Sequence, residues 1–571
     1  MRKYKIFLLV LFISGFLSVS IFSQTPPSSQ TMGGVIRQSE QLEKGKKLKQ
    51  KIDKSPRKLT DGSLGEIIPE EEGEKVLITK ITVEGVTLIF QKVVDEIISE
   101  FKGRELSLRE MQRVADLITD EYRKKGYATS RAYIPAQKIN NGVLIIKVVE
   151  GKLGAYQIRG NRHFKTSLLE KKIKLKPHDY FDYSSFQESL VRINEHPDRT
   201  AKATLVPGKK SGTTDIIIDV EDRLPVHISF EYDNFGSRYI ENDNYAIVAE
   251  HNNILGFDDK LYFRYQRSES DLSRLHQVRY SIPLDVTLDL GVYYLETEMK
   301  MGREFKDVDA RGKARITGIF LNKALMTGKE LDLRLNFGFD HKRIRNFLLG
   351  APSSRDDARV VKTGFDLDYL DQWGRNLFAL ELDFGIPKIM GGLNSKDSRA
   401  SRSGAGGNFN KMVGSFFRLQ PAPFDSNILW KNYFQFSSYN LLASEQFQIG
   451  GAATVRGYPP AEHAGDKGWH TSVEWSFPIY FIPKKLKVPF SGDHTFYDSL
   501  RLVVFYDWAT AHANKVLAGE KKHRTLKGTG FGARFNLSEQ FSARIELGYP
   551  LGKTPSDSNH LHTWVEIICK F

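Results

Sequence analysis

The sequence has few of the residues and motifs that a disulfide-linked, metal-binding or catalytic protein needs. Its one cysteine, Cys569, cannot form a disulfide within the chain. None of the 14 histidines lies in an HExxH or similar pair, which argues against a metal site. No GxSxG elbow and no nucleotide-binding motif occurs; the glycines Gly528, Gly530 and Gly532 lie in a strand pattern with no helix after them. We therefore expect no enzymatic activity, no catalytic residue and no cofactor.

Long apolar runs are equally scarce. Beyond Phe22 no stretch of about 18 apolar residues occurs, so we expect no membrane-spanning helix in the mature chain. The net charge is +14, but the basic residues are spread over the whole chain and form no known nucleic-acid module. We expect no nucleic-acid partner. The 37 Phe and 23 Tyr residues suit strands and membrane-interface girdles better than helices.

The N-terminal segment predicts secretion. Basic residues at Arg2, Lys3 and Lys5 precede an apolar run from Ile6 to Phe22, which is typical of a signal peptide over residues 1–23. Small residues leave two cleavage positions open, after Ser20 or after Ser23. Residues 24–73 are polar and read as a linker, within which residues 35–54 are a candidate basic helix.

Residues 74–222 contain an internal repeat. The segment Val143–Gly151 (VLIIKVVEG) matches Thr214–Asp222 (TDIIIDVED), and a helical period lies upstream of each. We predict two βααββ units, over residues 74–151 and 152–222.

The helices of the two units can be placed from their patterns. In the first unit Ser107 and Glu110 form a capping box for a helix that ends at Gly126. Its predicted buried face consists of Leu108, Met111, Ala115, Ile118 and Tyr122. In the second unit we predict helices near Ser167–Leu175 and Ser184–Glu195.

From residue 223 to 571 the period changes to two. Alternating segments such as Leu331–Asp340 and Phe541–Tyr549 put apolar residues on one face and charges such as Arg544 and Glu546 on the other. The terminal Phe571 shares the apolar face of the last segment, as in outer-membrane barrels. We predict a transmembrane antiparallel β-barrel of about 16 strands, which satisfies every backbone group in lipid.

These features together resemble the two-partner secretion transporters, or TpsB family, which includes the hemolysin and filamentous-hemagglutinin exporters. The βααββ units resemble POTRA domains, α+β modules that precede the barrel. The most specific match is Val455-Arg456-Gly457-Tyr458 in the Gly-rich segment 450–468. In the family this motif tips a long loop that folds into the barrel, where its Arg meets the Asp of an F-x-D motif. Phe505 and Asp507 match that second motif, on the face predicted to line the lumen.

The resemblance implies a function and a location. It implies an outer-membrane pore of a Gram-negative bacterium, with POTRA domains in the periplasm that recognise one unfolded partner exoprotein for export. By position, residues 35–54 match a helix that plugs the barrel in some members. We expect contacts with outer-membrane lipid and a monomer. The alternative from the same superfamily is a barrel-assembly factor, although such proteins usually carry more than two POTRA units.

Overall fold

The structure is a computed structural model that describes residues 30–53, 75–328, 330–489, 494–516, 521–537 and 540–571. The predicted signal peptide and residues 24–29 and 54–74 lie outside the described residues. The predicted POTRA residues fall into one compact unit, whereas the first helix and the barrel form another. No described helix is long and apolar enough to cross a membrane.

The first POTRA domain consists of β1 (Val76–Ile78), β2 (Lys80–Glu84), α2 (Gln91–Ser99), β3 (Arg104–Leu106), α3 (Leu108–Lys124), β4 (Arg131–Tyr133) and β5 (Val143–Val149), while α1 (Met32–Asp53) precedes it in the chain. Strand β5 is central, parallel to β2 and antiparallel to β4. Strands β1 and β3 form a separate antiparallel pair. Strand β4 therefore lies at an edge of its sheet.

Helix α3 carries the predicted capping box, which is confirmed: Ser107 and Glu110 bond each other's backbone N–H groups. Met111, Ala115, Ile118 and Tyr122 are buried as predicted. Leu108 is not, because its side chain is 71% exposed. Side chains of a helix point towards its N-terminus, so a residue at the first position projects beyond the helix end. Instead, Val114 and Thr119 complete the buried face.

The second POTRA domain consists of β6 (Lys152–Arg159), α4 (Thr166–Glu170), α5 (Tyr183–Asn194), β7 (Arg199–Pro207) and β8 (Thr213–Asp222), in the sheet order β6-β8-β7. Helix α4 stops at Glu170, five residues short of the predicted Leu175. The backbone N–H of Lys174 bonds Ser189 Oγ of α5 at 3.0 Å, so the chain leaves the helix to meet its neighbour.

The two domains repeat one structural device. Gly85 follows β2 and Gly160 follows β6, with φ of +88° and +89°. A Cβ on either glycine would lie 2.5 Å from a carbonyl oxygen, that of Val148 or Val220, so glycine is required at both positions.

An acidic residue ends the last strand of each domain. Glu150 accepts hydrogen bonds from the backbone N–H groups of Thr87 (2.6 Å) and Leu88 (2.7 Å), and Asp222 accepts equivalent bonds from Arg162 and His163. Burial acts to raise the pKa of the Glu150 carboxyl, but hydrogen bonds, first among them that from Thr87, hold this pKa below its ordinary value. Each acid thus ties the end of its domain's last strand to the loop that follows β2 or β6.

Within the described residues sixteen strands close into an antiparallel barrel, which confirms the predicted fold class. They are β9 (Val226–Asp233), β10 (Asn244–His251), β11 (Lys260–Ser268), β12 (Ser273–Pro283), β13 (Leu288–Lys300), β14 (Arg311–Thr327), β15 (Leu331–Leu348), β16 (Ala351–Asp371), β17 (Gly374–Gly385), β18 (Phe409–Ala422), β19 (Ser426–Phe436), β22 (Lys467–Pro478), β23 (Leu500–His512), β24 (His523–Leu537), β25 (Phe541–Pro550) and β26 (His562–Lys570). Strand β26 pairs with β9 and closes the ring.

The two ends of the barrel differ. One end has mostly short turns, such as residues 284–287 and 372–373, and the other has long connections, such as residues 386–408 and 437–466. Long loops of outer-membrane barrels face the cell exterior. The connection 437–466 contains two short paired strands, β20 (Phe447–Ile449) and β21 (His463–Gly465), and α6 (Phe496–Ser499) precedes β23 at the opposite end.

Along each strand the faces alternate between the outside and the lumen. In β23, Val504 and Tyr506 are 44% and 43% exposed, whereas Phe505 and Asp507 are buried. Phe505 and Asp507 therefore line the lumen, and Val504 and Tyr506 face lipid.

Candidate functional site: a loop and a helix inside the barrel

The connection between β19 and β22 folds back into the lumen. Gly450 and Gly451 turn the chain with φ of +104° and +93°, and the Gly451 N–H donates to the Tyr458 carbonyl at 2.9 Å. Val455, Arg456 and Tyr458 are at most 2% exposed. We call Val455–Tyr458 the loop tip. The predicted segment 450–468 runs beyond this connection, because β22 begins at Lys467.

The structure brings Arg456 of the loop tip against Asp507 of the wall. Arg456 Nε lies 2.9 Å from Asp507 Oδ2, and Nη2 lies 2.8 Å from Oδ1. The Arg456 backbone N–H also donates to Oδ2 at 3.1 Å. The guanidinium carbon lies 3.3 Å from the centre of the Phe505 ring. Both residues of the F-x-D motif therefore hold one side chain, through a bidentate ion pair and a cation–π contact.

Arg456 has more carboxylate partners than the sequence motif predicted. Its Nη1 lies 2.8 Å from Glu474 Oε1 and 3.0 Å from Glu546 Oε2. Arg534 Nη1 lies 2.9 Å from Glu474 and its Nε 2.9 Å from Glu546. Lys431 contacts Glu474 at 2.5 Å. We call these residues the arginine cluster; its members are Lys431, Glu474, Arg456, Asp507, Arg534 and Glu546.

The charges of the arginine cluster balance. Lys431, Arg456 and Arg534 provide three cations against the carboxylates of Glu474, Asp507 and Glu546. A buried charge is tolerated when it is paired and hydrogen-bonded. Because Ser472 Oγ also donates to Asp507 Oδ1 at 2.7 Å, the Asp507 carboxylate has side-chain donors from both the loop tip and the wall.

Small wall residues let the loop tip approach closely. A Cβ on Gly457 would lie 2.5 Å from the Tyr549 carbonyl, and one on Gly548 would lie 2.3 Å from the Arg456 carbonyl oxygen. Gly528 faces Val455 and Gly457 from β24. The glycine series beginning at Gly528 is thus explained by crowding in the lumen.

Hydrogen bonds from aromatic residues complete the contacts of the loop tip. The Tyr458 hydroxyl donates to the Lys553 carbonyl at 2.9 Å, and the Trp564 Nε1–H donates to the Arg456 carbonyl at 2.8 Å. The loop tip therefore touches strands β22 to β26 or their connections. The Arg456 carbonyl, the Arg456 guanidinium and the Tyr458 hydroxyl each have a hydrogen-bonding partner.

Helix α1 also lies in the lumen. The structure has it at Met32–Asp53, against the predicted 35–54. Gln30, just before it, donates to the Pro460 carbonyl at 3.1 Å and accepts from Ser237 Oγ at 2.9 Å. Ideal Cβ geometry places a side chain at position 33 only 2.8 Å from the Ser444 nitrogen, so Gly33 permits the helix to touch the connection 437–466.

Among the described side chains of α1, Arg37 is the most enclosed cation, with 5% of its side chain exposed. It donates from Nε to the Gln446 carbonyl at 3.2 Å, from Nη2 to Gln435 Oε1 at 2.8 Å, and from Nη1 to Glu40 Oε2 at 3.1 Å. One turn after Glu40, Lys44 reaches Glu381 of β17 at 2.9 Å. The helix is thus bound to both the wall and the connection 437–466.

A second balanced group of wall charges lies beside α1. Lys342 Nζ lies 2.8 Å from Glu445 Oε1, and Lys411 lies 3.2 Å from Asp383 and also contacts Glu445. Glu40 approaches Lys342 at 3.7 Å. The wall pairs here are formed among wall and loop residues themselves.

Sequence reasoning found the two ends of the Arg456–Asp507 tie but missed its neighbours. Glu474, Arg534 and Lys431 each occupy a lumen-facing position in an alternating strand, and that alternation was the available signal. Nothing in a single sequence indicates which lumen positions lie at the same height. No group of three His, Cys, Asp or Glu residues within the described ranges is arranged to hold a metal ion.

The chain is similar to known outer-membrane transporters. It is 24% identical over 527 residues to the outer membrane transporter CdiB of Escherichia coli O6:K15:H31, covering 88% of this chain and 83% of the relative. It is 21% identical over 488 residues to the heme/hemopexin transporter protein HuxB of Haemophilus influenzae, covering 83% of each. The solved structure of CdiB from Escherichia coli has the same fold, with a TM-score of 0.74 at 21% identity over 94% of this chain and 98% of that one.

Two family models match the chain. The model of the ShlB-type POTRA domain matches residues 76–151, and that of the haemolysin secretion/activation protein ShlB/FhaC/HecB matches residues 212–534. These matches favour an exporter over a barrel-assembly factor, and they locate the barrel in the outer membrane and the POTRA domains in the periplasm. Since the second match covers more than half of the 571 residues, the chain belongs to the haemolysin secretion/activation family ShlB/FhaC/HecB, whose members are two-partner secretion transporters.

Proposed function

We propose that this chain exports one partner exoprotein across the outer membrane through the lumen of its barrel. The observation that carries the proposal is a closed barrel whose lumen is filled by two separable segments, the loop tip and α1. A polypeptide can pass only if the lumen widens. The chain acts as a monomer in contact with outer-membrane lipid, because a closed barrel has no free strand edge for association.

The POTRA domains capture the unfolded client by adding it as a strand. Strand β4 has one free edge, since its sheet is ordered β2-β5-β4. Tyr133 on that strand is 38% exposed and gives a side-chain contact beside the backbone edge. An extended segment binds such an edge through main-chain hydrogen bonds, which suits an unfolded client of variable sequence.

Helix α1 is the part that leaves. Its charged residues on the described side chains include Arg37 and Glu40, which pair with each other at 3.1 Å. The adjacent wall pairs, such as Lys342 with Glu445, persist without the helix. Withdrawal of α1 separates Glu381 from Lys44, an ion pair that is already partly exposed, and leaves Lys342 paired with Glu445. The loop tip stays in place and orients the passage.

Folding of the client outside the cell drives export. The outer membrane holds no ATP, and the sequence has no nucleotide-binding motif. A client that becomes compact on the outside cannot slide back, so its folding free energy makes export directional.

Deletion of residues 35–54 tests the role of α1. We expect a higher single-channel conductance in planar bilayers, because the lumen loses its helix. Deletion of residues 58–70, in the polar linker, is the matched control and leaves conductance unchanged. Equal conductance of the wild type and the 35–54 deletion would contradict the plug.

Client recognition has its own test. A fragment spanning residues 74–222 is expected to bind the N-terminal domain of the exoprotein. Binding by the full chain together with no binding by this fragment would assign recognition to another part of the molecule.

A further inference from the structure

The outer wall of the barrel carries a concentration of charge on one flank. Strands β11 to β14 alternate, and their outward side chains form rows across the sheet. Nearest the middle of the barrel, one row consists of Phe263, Val278, Tyr294 and Thr317, which pair in register. Phe263, Val278 and Tyr294 are 38% to 39% exposed, as expected of a lipid-facing band.

Towards the long-loop end of the same strands, the outward rows are basic. Three more rows follow. The first contains Tyr265, His276, Glu296 and Arg315, the second contains Arg267, Arg274, Glu298 and Lys313, and the third contains Lys300 and Arg311. We call these the basic rows. Their Lys and Arg residues outnumber their two carboxylates, and Arg274 and Arg315 each have 53% of the side chain exposed.

Two pairs in the basic rows put like charges directly opposite each other. Arg267 faces Arg274 across β11 and β12, and Lys300 faces Arg311 across β13 and β14. Such cross-strand pairs are destabilising unless an anion lies between them. Loop carboxylates answer part of this charge, since Asp271 pairs with Arg274 and Asp309 with Arg311 at 2.7 Å. No carboxylate among the described residues pairs with Arg267 or Lys300.

A cavity of about 480 Å³ opens between these side chains. Its lining includes Arg274, Lys300, Arg311 and Lys313 together with Asp271 and Glu298. Lys and Arg side chains that converge on one depression form charge-assisted hydrogen bonds with phosphate oxygens. The volume exceeds what one phosphate needs, so a headgroup can enter with it.

The opposite flank has no equivalent. On β23 and β24 the outward pairs near the long loops are Trp508 with Lys527, Thr510 with Thr525 and His512 with His523. Lys527 is the one Lys or Arg among these six positions. The basic rows therefore have no counterpart on these two strands.

We propose that the basic rows bind a phosphorylated lipid headgroup of the outer leaflet. The lipid-facing band lies directly below them, so an occupant with acyl chains beside Val278 and Tyr294 carries its phosphates to the level of Lys300 and Arg311. A free phosphate would use the cations but not the band. The inference rests on the barrel lying in the outer membrane and not on client export.

Native mass spectrometry of the purified full chain, titrated with bis-phosphorylated lipid A, tests this site. We expect the wild type to retain lipid A, and the variant Lys300→Gln/Arg311→Gln to show a dissociation constant about tenfold higher or more. The control Lys484→Gln/Lys527→Gln removes two exposed cations elsewhere and keeps the wild-type affinity. A second variant, Arg267→Gln/Arg274→Gln, tests the same site should the first fail the heat-modifiability check of barrel folding.

Three results would overturn the proposal. The first is that the wild type retains no lipid A. The second is that the control variant Lys484→Gln/Lys527→Gln weakens binding as much as Lys300→Gln/Arg311→Gln does. The third is that millimolar inorganic phosphate displaces the lipid fully. The last result would identify a free-anion site. Retention of lipid A with weaker retention of its monophosphoryl form supports recognition of the phosphates.

Discussion

The loop tip and helix α1 share one lumen but are held there differently. The loop tip is continuous with β19 and β22 at both ends, and its Arg456 has 3% of the side chain exposed. Helix α1 is continuous with a barrel strand at neither end, and its Lys44 pairs with Glu381 while 47% exposed. Contacts of the loop tip are buried, bidentate and short, whereas those of the helix become more exposed from Arg37 to Lys44.

The two segments also differ in the charge that their removal leaves unpaired in the lumen. Removal of Arg456 leaves Glu474, Asp507 and Glu546 against Lys431 and Arg534, one uncompensated negative charge in a buried site. Removal of α1 withdraws Arg37 and Glu40 together as a neutral pair, and it also takes Lys44 from Glu381, a partner in a partly exposed ion pair. Leaving one charge of a buried pair unpaired costs about 3–5 kcal/mol, whereas withdrawing a neutral pair avoids that penalty. We therefore expect the loop tip to stay in the lumen and α1 to be the segment that can leave it.

The largest effect is expected from Arg456→Ala. Loss of the guanidinium leaves the Asp507 carboxylate without its bidentate partner, a penalty of about 3–5 kcal/mol that releases the loop tip. Secreted client per inserted transporter should fall about tenfold or more. Arg544→Ala is the matched control, because Arg544 also pairs in the lumen, with Glu566 at 2.9 Å, but lies outside the arginine cluster.

A double-mutant cycle makes the test specific. Asp507→Ala should reduce secretion as Arg456→Ala does, and the double variant should be little worse than either. Independent, multiplying effects would refute the loop-to-wall tie. The exchange Arg456→Asp/Asp507→Arg is not expected to restore export, because Glu474 and Glu546 would then face a third carboxylate at position 456.

A smaller but clear effect is expected from Gly457→Ala. The added Cβ meets the Tyr549 carbonyl at 2.5 Å, so the loop tip must move off the wall, at a cost of about 1–3 kcal/mol. Secretion should fall while barrel insertion, followed by heat-modifiable migration, stays normal. Gly338→Ala in β15 is the control, since the nearest atom to its Cβ would be 3.5 Å away. Equal secretion by the two variants would mean that close approach at Gly457 is unimportant.

The smallest effects should come from single changes in α1. Arg37→Ala removes three hydrogen-bond partners and should give channel openings more often than in the wild type, but less often than deletion of residues 35–54. Lys44→Ala removes one half-exposed ion pair, worth about 0–1 kcal/mol, and should change little. If Lys44→Ala opened the channel as often as Arg37→Ala, the buried half of the helix would not be its main anchor.

The accuracy of the sequence predictions follows the range of the interactions. The capping box at Ser107 and the alternation along β23 depend on neighbours a few residues apart, and both appear in the structure. The predictions for Leu108 and for the end of α4 were wrong. Each depends on where an element stops against its surroundings, as the bond from Lys174 to Ser189 illustrates.

Strand alternation, the repeated βααββ pattern and the VRGY and F-x-D motifs are properties of the chain alone, and they determined the barrel, the POTRA domains and the two ends of the Arg456 tie. Tertiary structure decided which lumen-facing charges meet. Glu474, Arg534 and Glu546 are brought to one height by the register of β22 to β25. Barrel closure depends on hydrogen bonds between β26 and β9, the two strands farthest apart in the barrel sequence. Only the closed barrel brings Arg37 of α1 against Gln435 of the wall and lets Arg456 complete a charge balance.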